Sequence, residues 1–223
     1  MATNKDNTAT NAPAGARLLA ERPAGDLWVF GYASLIWRPE FEAAQALPTR
    51  VHGWHRALKM WSRINRGTPE RPGLVFALLP GGSCQGVAMR ISAVQVPQAL
   101  VSLWAREMPS KVYLPRWVQG HTPQGQVRAL TFTLPRSHPS YTGPLNEAQY
   151  RAIFADRVGG RYGHTLEYAL STLESLRQWG IRDTALERLL ALHSGWSNLL
   201  LLQPNGPTKR LLRQFLVLFR RLF

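Results

Sequence analysis

The stretch Trp28-Val29-Phe30-Gly31-Tyr32-Ala33-Ser34-Leu35-Ile36-Trp37 decides how the rest of the chain is interpreted. An apolar run that predicts a strand ends here in a turn of small residues that includes the hydroxyl of Ser34. Such a turn leaves backbone N–H groups free to hold a ligand oxygen, and fixed donors of this kind stabilise negative charge during acyl chemistry. An ordinary surface turn has the same composition, and spacing alone favours that interpretation. The turn lacks both the Gly-rich spacing of a dinucleotide fold and a Gly-Lys-Ser/Thr ending, so nucleotide binding is not expected.

Composition is that of a soluble globular protein with one domain and tails. The 223 residues are 45% hydrophobic and 18% charged. The single cysteine, Cys84, excludes a disulfide framework within the chain, and its position between two glycines predicts a small buried residue. Residues 1–26 contain no signal-peptide core, and no apolar run approaches the roughly 20 residues that cross a bilayer. We therefore expect a disordered leader over 1–26 and a cytoplasmic location.

The chain is strongly basic, with a formal net charge of +14. Most of this charge lies on the body, which suits either a polyanion or a small anionic substrate, and charge alone does not choose between them. A separate segment, residues 196–223, is predicted to be a basic amphipathic C-terminal tail. It predicts a weak contact of residues 209–223 with an anionic membrane surface or a partner. A terminal helix docked on its own domain is an equal alternative.

Hydrophobic patterning predicts strands first and helices afterwards. Gly- and Pro-bearing turns, such as those at 66–69 and 80–82, separate six expected strands at 27–32, 50–61, 74–79, 85–91, 112–118 and 127–134. One helix begins near Val96 and ends before Pro109, and three more are expected from Asn146, from His164 and over 183–193. This order predicts an α+β domain over 27–195, with a small barrel-like mixed β-sheet and helices packed outside it.

The opening stretch and the pair Arg106-Glu107 together make the chain similar to a known family. From about Trp28 to Leu192 the chain resembles the ChaC-like gamma-glutamylcyclotransferases. Seven motifs in the family's order support the resemblance, which is far more specific than any one of them. Beside the opening stretch they are Val51-His52-Gly53-Trp54-His55-Arg56, Arg66-Gly67-Thr68-Pro69-Glu70-Arg71-Pro72-Gly73-Leu74-Val75, Cys84-Gln85-Gly86-Val87-Ala88, Arg106-Glu107, His138-Pro139-Ser140-Tyr141-Thr142-Gly143 and His164-Thr165-Leu166-Glu167-Tyr168.

The resemblance implies cleavage of glutathione to 5-oxoproline and cysteinylglycine, with neither metal nor organic cofactor. The α-amine of the substrate would attack its own γ-carbonyl, and Glu107 would take the amine proton and later protonate the departing nitrogen. The backbone N–H groups of the loop around Tyr32, Ala33, Ser34 and Leu35 would hold the γ-glutamyl group and its developing oxyanion. Without the family, a glutamate at a helix end is more often a solvated surface charge.

Two tyrosines and one departure from the family pattern complete the expected site. Tyr141 is expected to place its hydroxyl on the substrate and Tyr113 to orient the base, although either is equally typical of a half-buried packing residue. Ala33 stands where the family most often has glycine. A positive φ at this position would strain the backbone of an alanine and crowd the substrate.

Other functions remain open on the sequence alone. One alternative is a cyclotransferase for other γ-glutamyl peptides or amines, and another is a non-catalytic protein that binds anions or nucleic acid through its basic body and eight tryptophans. The scattered tryptophans and the lack of a recognised motif argue against specific nucleic-acid binding. A metal site is not expected, because His52 and His55 are three apart in a predicted strand and point to opposite faces.

Overall fold

Five strands close into a barrel in the order β1-β3-β2-β4-β5. The computed structural model describes residues 21–108 and 112–193, and its strands are β1 (Leu27–Gly31), β2 (Gln45–Ser62), β3 (Gly73–Ile91), β4 (Leu114–Thr122) and β5 (Gly125–Thr133). Neighbouring strands are antiparallel except β1 and β5, which pair in parallel and close the barrel. The predicted mixed, barrel-like sheet is confirmed.

One long strand replaces two predicted ones. Residues 74–79 and 85–91 both belong to β3, and the predicted turn at 80–82 lies inside it. Gly81 and Gly82 have φ values of +100° and +71°, and the pairing register with β2 shifts at this point. The two glycines form a bulge that bends the strand without ending it. The prediction of a turn was wrong because paired glycines mark bulges as well as turns.

Helices cover the outside of the barrel, as predicted. They are α1 (Val96–Glu107), α2 (Glu147–Ala155), α3 (Thr165–Gln178) and α4 (Thr184–Leu190). The predicted capping box of α2 is present, since Asn146 and Gln149 exchange side-chain to backbone hydrogen bonds of 2.9 Å. The last helix is shorter than the predicted 183–193, with Asp183 outside it as the N-cap that accepts the Leu186 N–H.

Aromatic contacts fix α1 and α3 to the barrel. Trp104 of α1 meets Phe132 of β5 edge-on, with ring centroids 5.9 Å apart. Tyr168 of α3 packs on Phe76 of β3 with centroids 5.4 Å apart. Both phenylalanines are almost fully buried in the main core, and burial of such a side chain contributes about 1.5–3 kcal/mol. The two helices are therefore held at neighbouring positions on the barrel.

The two ends of the chain fall mostly outside the described residues. This holds for residues 1–20 of the predicted leader and for the whole predicted tail, 196–223. Asp26, expected to be the last leader residue, accepts the Ala93 N–H at 2.9 Å and forms an ion pair with Arg90. The residues just before β1 are thus attached to the barrel. None of the described helices has the length and apolar character needed to cross a membrane.

Candidate active site

A cavity lies where β1 ends beside α1 and α3. Its walls come from the turn after β1, from β3 and β5, from the end of α1 and from α3. The lining residues are Tyr32, Ala33, Ser34, Leu35, Phe76, Glu107, Tyr113, Phe132 and Tyr168. The structure therefore brings together every site residue predicted from the sequence except Tyr141.

The turn after β1 lines this cavity and contains backbone N–H groups that have no acceptor within the turn. It forms a short 3₁₀ helix, Ser34–Ile36, in which the Ile36 N–H donates to Ala33 O at 2.9 Å. The Arg38 N–H donates to Ser34 O at 2.8 Å and closes the turn. The first N–H groups of a helical turn have no acceptor within the helix. Those of Ser34 and Leu35 are therefore available to a ligand at the cavity wall.

Ala33 does not require the conformational freedom of glycine. Its φ is −148°, outside the left-handed region that favours glycine. The strain that a positive φ would impose on an alanine is absent. The space is tighter two residues earlier, where a Cβ on Gly31 would lie 2.9 Å from Met89 Cε and 3.1 Å from Leu35 Cβ, so that the Met89 side chain would have to shift.

Arg56, from the second family motif, binds the first residue of the turn after β1. Its Nη1 donates to Tyr32 O at 2.8 Å and to Gln85 O at 3.0 Å. Its Nε donates to Asp183 Oδ2 at 3.0 Å. The Arg56 side chain is only 4% exposed, so this ion pair is largely removed from water. The first residue after β1 is thereby tied to β3 and to the start of α4.

Glu107 is the last residue of α1 and reaches the cavity with a side chain that is 14% exposed. Burial raises the pKa of Glu107, and the neighbouring Arg106 opposes that rise through its charge and a hydrogen bond. Arg106 Nε donates to Glu107 Oε1 at 2.9 Å. Glu107 is thus not the solvated surface charge that a helix end alone would predict. A carboxyl with a raised pKa is suited to accept a proton and then return it.

Three tyrosine hydroxyls lie around Glu107. Tyr32 Oη donates to Phe132 O at 3.0 Å, and Tyr113 Oη donates to Phe76 O at 3.4 Å. Burial raises the pKa of Tyr32 and of Tyr113 well above the ordinary value, and it raises the pKa of Tyr168 to about 12. All three hydroxyls therefore remain neutral hydrogen-bonding groups at neutral pH.

Tyr141 lies outside the cavity lining. Its backbone forms a bridge with Met60. Its side chain packs against a small second cluster made of Ala77, Leu79 and Leu134. The structure places Tyr141 with packing residues, which was the alternative interpretation of this tyrosine, rather than with the cavity.

Sequence reasoning missed three lining residues, all aromatic. Phe76 and Phe132 come from continuous apolar strands, where no pattern distinguishes a cavity wall from the core. Tyr168 did carry a signal, because it ends the seventh family motif and because a hydroxyl in an apolar surrounding needs a partner. Its Oη accepts the Phe76 N–H at 3.4 Å.

The described residues contain no group of three His, Cys, Asp or Glu side chains that could hold a metal ion. His55 Nδ1 lies 2.8 Å from Gly81 O, whereas the His52 ring meets that of His121 at 5.3 Å. Cys84 is 3% exposed, which confirms the prediction of a small buried residue.

Comparison with known proteins agrees with the fold and with the motifs. The chain is 37% identical over 177 residues to the glutathione-specific gamma-glutamylcyclotransferase of Escherichia coli strain K12, covering 78% of this chain and 76% of that protein. It is 34% identical over 160 residues to human glutathione-specific gamma-glutamylcyclotransferase 1, covering 69% and 71%. A crystal structure of a yeast gamma-glutamyl cyclotransferase specific to glutathione has the same fold, with a TM-score of 0.68 at 20% identity over 75% of this chain and 95% of that chain. Residues 27–194 match the family model described as ChaC-like protein, and the chain therefore belongs to the ChaC-like family.

Proposed function

We propose that this chain is a glutathione-specific gamma-glutamylcyclotransferase that converts glutathione to 5-oxoproline and cysteinylglycine. The observation that supports this most directly is the presence of a buried carboxylate, Glu107, in the same cavity as the backbone donors of the turn Ala33–Leu35. The names of the bacterial and human relatives support glutathione as the substrate.

Glu107 acts as general base and then as general acid. It takes a proton from the α-amine of the γ-glutamyl group, and the amine nitrogen attacks the γ-carbonyl carbon. The amide bond to the cysteinyl nitrogen then breaks, and Glu107 returns the proton to that nitrogen. The proton count balances without water, oxidant or cofactor. Both products leave with Glu107 ionised again.

The turn binds the charge that develops during this attack. In this proposal the N–H groups of Ser34 and Leu35 donate to the γ-carbonyl oxygen as it becomes an oxyanion, and each such donor contributes roughly 3 kcal/mol. Nucleophile and electrophile belong to one molecule, so the remaining task is to fold the γ-glutamyl arm towards a ring. Well-oriented intramolecular reactions reach effective molarities of about 10⁵ M or more.

The walls of the cavity are partly apolar and partly polar. Phe76 and Phe132 supply apolar surface against which the methylene groups of the γ-glutamyl arm pack.

The test is incubation of the purified protein with glutathione, with 5-oxoproline and cysteinylglycine measured together. We expect equal amounts of both products, and a loss of at least about 100-fold in kcat for Glu107→Gln. Glu174→Gln, on an exposed glutamate of α3, is the matched control and should keep full activity.

Three outcomes would contradict the proposal at different points. An active Glu107→Gln variant would exclude Glu107 as the base. Absence of both products from the wild-type protein would exclude glutathione as the substrate. Turnover of other γ-glutamyl peptides in the same preparation would then assign the cyclisation to a different leaving group.

A further inference from the structure

We propose that Arg106 is a positioning residue that joins the general base Glu107 to the turn after β1 and holds the two halves of the site in one geometry. This inference rests on the proposed function, in which the base and the turn act on the same substrate. Arg106 itself does not line the cavity, so its effect is exerted through the residues that it binds.

The guanidinium of Arg106 uses all three of its nitrogens. Nε donates to Glu107 Oε1 at 2.9 Å, and Nη2 donates to Ser34 Oγ at 2.9 Å. Nη1 donates to the carbonyl oxygen of Arg38. The side chain is 15% exposed, so these bonds are largely shielded from water. Because a guanidinium holds its donors in a rigid planar fork, the three contacts fix the carboxylate relative to the turn.

The two contacts on the turn enclose the backbone donors. Ser34 begins the 3₁₀ helix and Arg38 follows its end, and the hydrogen bond from Arg38 N–H to Ser34 O joins them. The N–H group of Leu35 lies between these fixed points. Since a displacement of about 1 Å in a catalytic site costs on the order of 100-fold in rate, loss of this clamp affects kcat more than KM.

Arg106 binds one of the two carboxylate oxygens of Glu107. Among the described residues it is the only hydrogen-bond donor to the Glu107 carboxylate, and it binds Oε1. Oε2 accepts no hydrogen bond from the described residues, so it is the less occupied of the two oxygens that can take the proton from the substrate amine.

The charges around Glu107 predict the direction of a pH effect. Arg106 is its only ion-pair partner within the described part of the chain. Glu40 opposes it, with Oε1 3.5 Å from Arg106 Nη1. The groups that face Glu107 are Arg106, Glu40 and the neutral phenols of Tyr32, Tyr113 and Tyr168. Without Arg106, burial and Glu40 act together and raise the pKa of Glu107 further.

The experiment compares two substitutions of Arg106 in the full chain. Arg106→Met removes both charge and donors, whereas Arg106→Lys keeps the charge but cannot reach three acceptors at once. Arg182→Met is the control, because the Arg182 side chain is 80% exposed. For each protein, kcat and KM for glutathione are measured across the pH range in which the protein stays folded.

For Arg106→Met we expect the acidic limb of the rate profile to move to higher pH by about one to three units. Its kcat is lower at neutral pH, partly recovers as the pH rises, and changes more than KM. For Arg106→Lys we expect the wild-type position of the limb with a lower kcat at every pH. A wild-type pH profile in Arg106→Met, or full activity in Arg106→Lys, would overturn the proposal.

A second measurement tests, without any catalytic assay, whether Arg106 lowers the pKa of Glu107. The side-chain carboxyl carbons of glutamate are labelled with ¹³C, and the Glu107 signal is assigned by its absence in Glu107→Gln. We expect its titration midpoint to be higher in Arg106→Met than in the wild-type protein, and equal midpoints would overturn the role of Arg106. If the wild-type protein does not turn over glutathione, the proposed function fails while this titration still tests the contact with Arg106.

Discussion

Glu107 ionises at a cost, because its carboxyl is buried and the pKa of Glu107 is raised above that of an exposed glutamate. In the proposed mechanism Glu107 accepts a proton only when it is ionised, so kcat/KM should fall as the pH is lowered through that pKa. We expect the midpoint of this fall to lie above the ordinary glutamate value of about 4.3. A kcat/KM profile against pH provides the measurement, and a midpoint at or below that value would contradict the buried base.

The raised pKa of Glu107 also makes the free energy of unfolding depend on pH, and it lowers this free energy as the pH rises. As the pH rises, the Glu107 carboxyl ionises first in the unfolded chain, so the free energy of unfolding falls until the pH passes the higher pKa of the folded state. At neutral pH the penalty is complete, and Glu107→Gln removes it. We therefore expect a Tm equal to or above that of the wild type at neutral pH.

Thermal unfolding at neutral and at acidic pH measures this effect. The advantage of Glu107→Gln should shrink in acid, where the wild-type carboxyl is protonated in both states. A large loss of Tm in the variant at neutral pH would mean that ionised Glu107 stabilises the fold.

Ala33 gives a prediction that follows directly from its backbone angles. Since the φ of Ala33 is −148°, Ala33→Gly relieves no positive-φ strain and adds freedom to the unfolded chain. We expect kcat to remain within about twofold of the wild type and the free energy of unfolding to fall by about 0.5–1 kcal/mol. Urea unfolding and glutathione turnover measure the two effects. A roughly tenfold gain in kcat would show that the methyl group limits the site.

At the scale of secondary-structure elements, the pair Arg56–Asp183 is the link between the turn and α4. Asp183→Asn keeps an oxygen to cap α4 at Leu186 but leaves the buried guanidinium without its counter-charge. Breaking a buried pair in this way costs about 3–5 kcal/mol, and we expect a loss near the lower figure in urea unfolding, because the Asp183 side chain is 17% exposed.

Glu187→Gln is the matched control on the same helix. Its partners Arg177 and Arg182 have side chains that are 38% and 80% exposed, so its loss should cost less than about 1 kcal/mol. Equal effects of the two substitutions would mean that burial of Arg56 adds nothing to the strength of its ion pair.

Local sequence patterns predicted a helix or strand well where residues in or beside that element determine where it begins and ends. The start and end of α1 and the capping box of α2 follow from residues within each helix. The bulge at Gly81 and Gly82 does not, because its formation depends on how β2 pairs with β3. The contact of Arg106 with Glu107 was equally hidden, since adjacent helical residues normally point about 100° apart.

For the whole molecule, the described cavity and the basic tail make separate predictions. All lining residues lie between Tyr32 and Tyr168, whereas the region after Gln203 contains one lysine, four arginines and no acid. A chain that ends at Gln203 should keep kcat/KM for glutathione within about twofold. It should also lose any salt-dependent retention on anionic lipid vesicles that the full chain shows, because basic segments are attracted to such surfaces.

Co-sedimentation with vesicles at low and high salt measures the second effect. Equal retention of the two proteins would assign vesicle binding to the body rather than to the tail. A large loss of turnover on truncation would instead favour a terminal helix docked on the catalytic domain.

The sequence predicts a barrel-like sheet, but it does not predict the order of the strands in that sheet. Alternating and apolar runs identify strands, whereas the partner of each strand depends on residues far away in the sequence. Val29 of β1 pairs with Leu130 of β5, and nothing near either residue specifies that contact. The motifs supplied most of the site, because they mark the turn and Glu107 directly, but its aromatic walls required the fold.

The parallel pairing of β1 with β5 also determines when the cavity can form during synthesis of the chain. Tyr32 and Phe132, joined by a hydrogen bond across this pair of strands, are 100 residues apart, and Tyr168 closes the cavity later still. Contacts so distant in sequence form late and slowly. A growing chain that already displays the turn after β1 therefore has no enclosed cavity to offer a ligand. The cavity is complete only when the far side of the barrel and α3 have been made and have folded back onto the first strand.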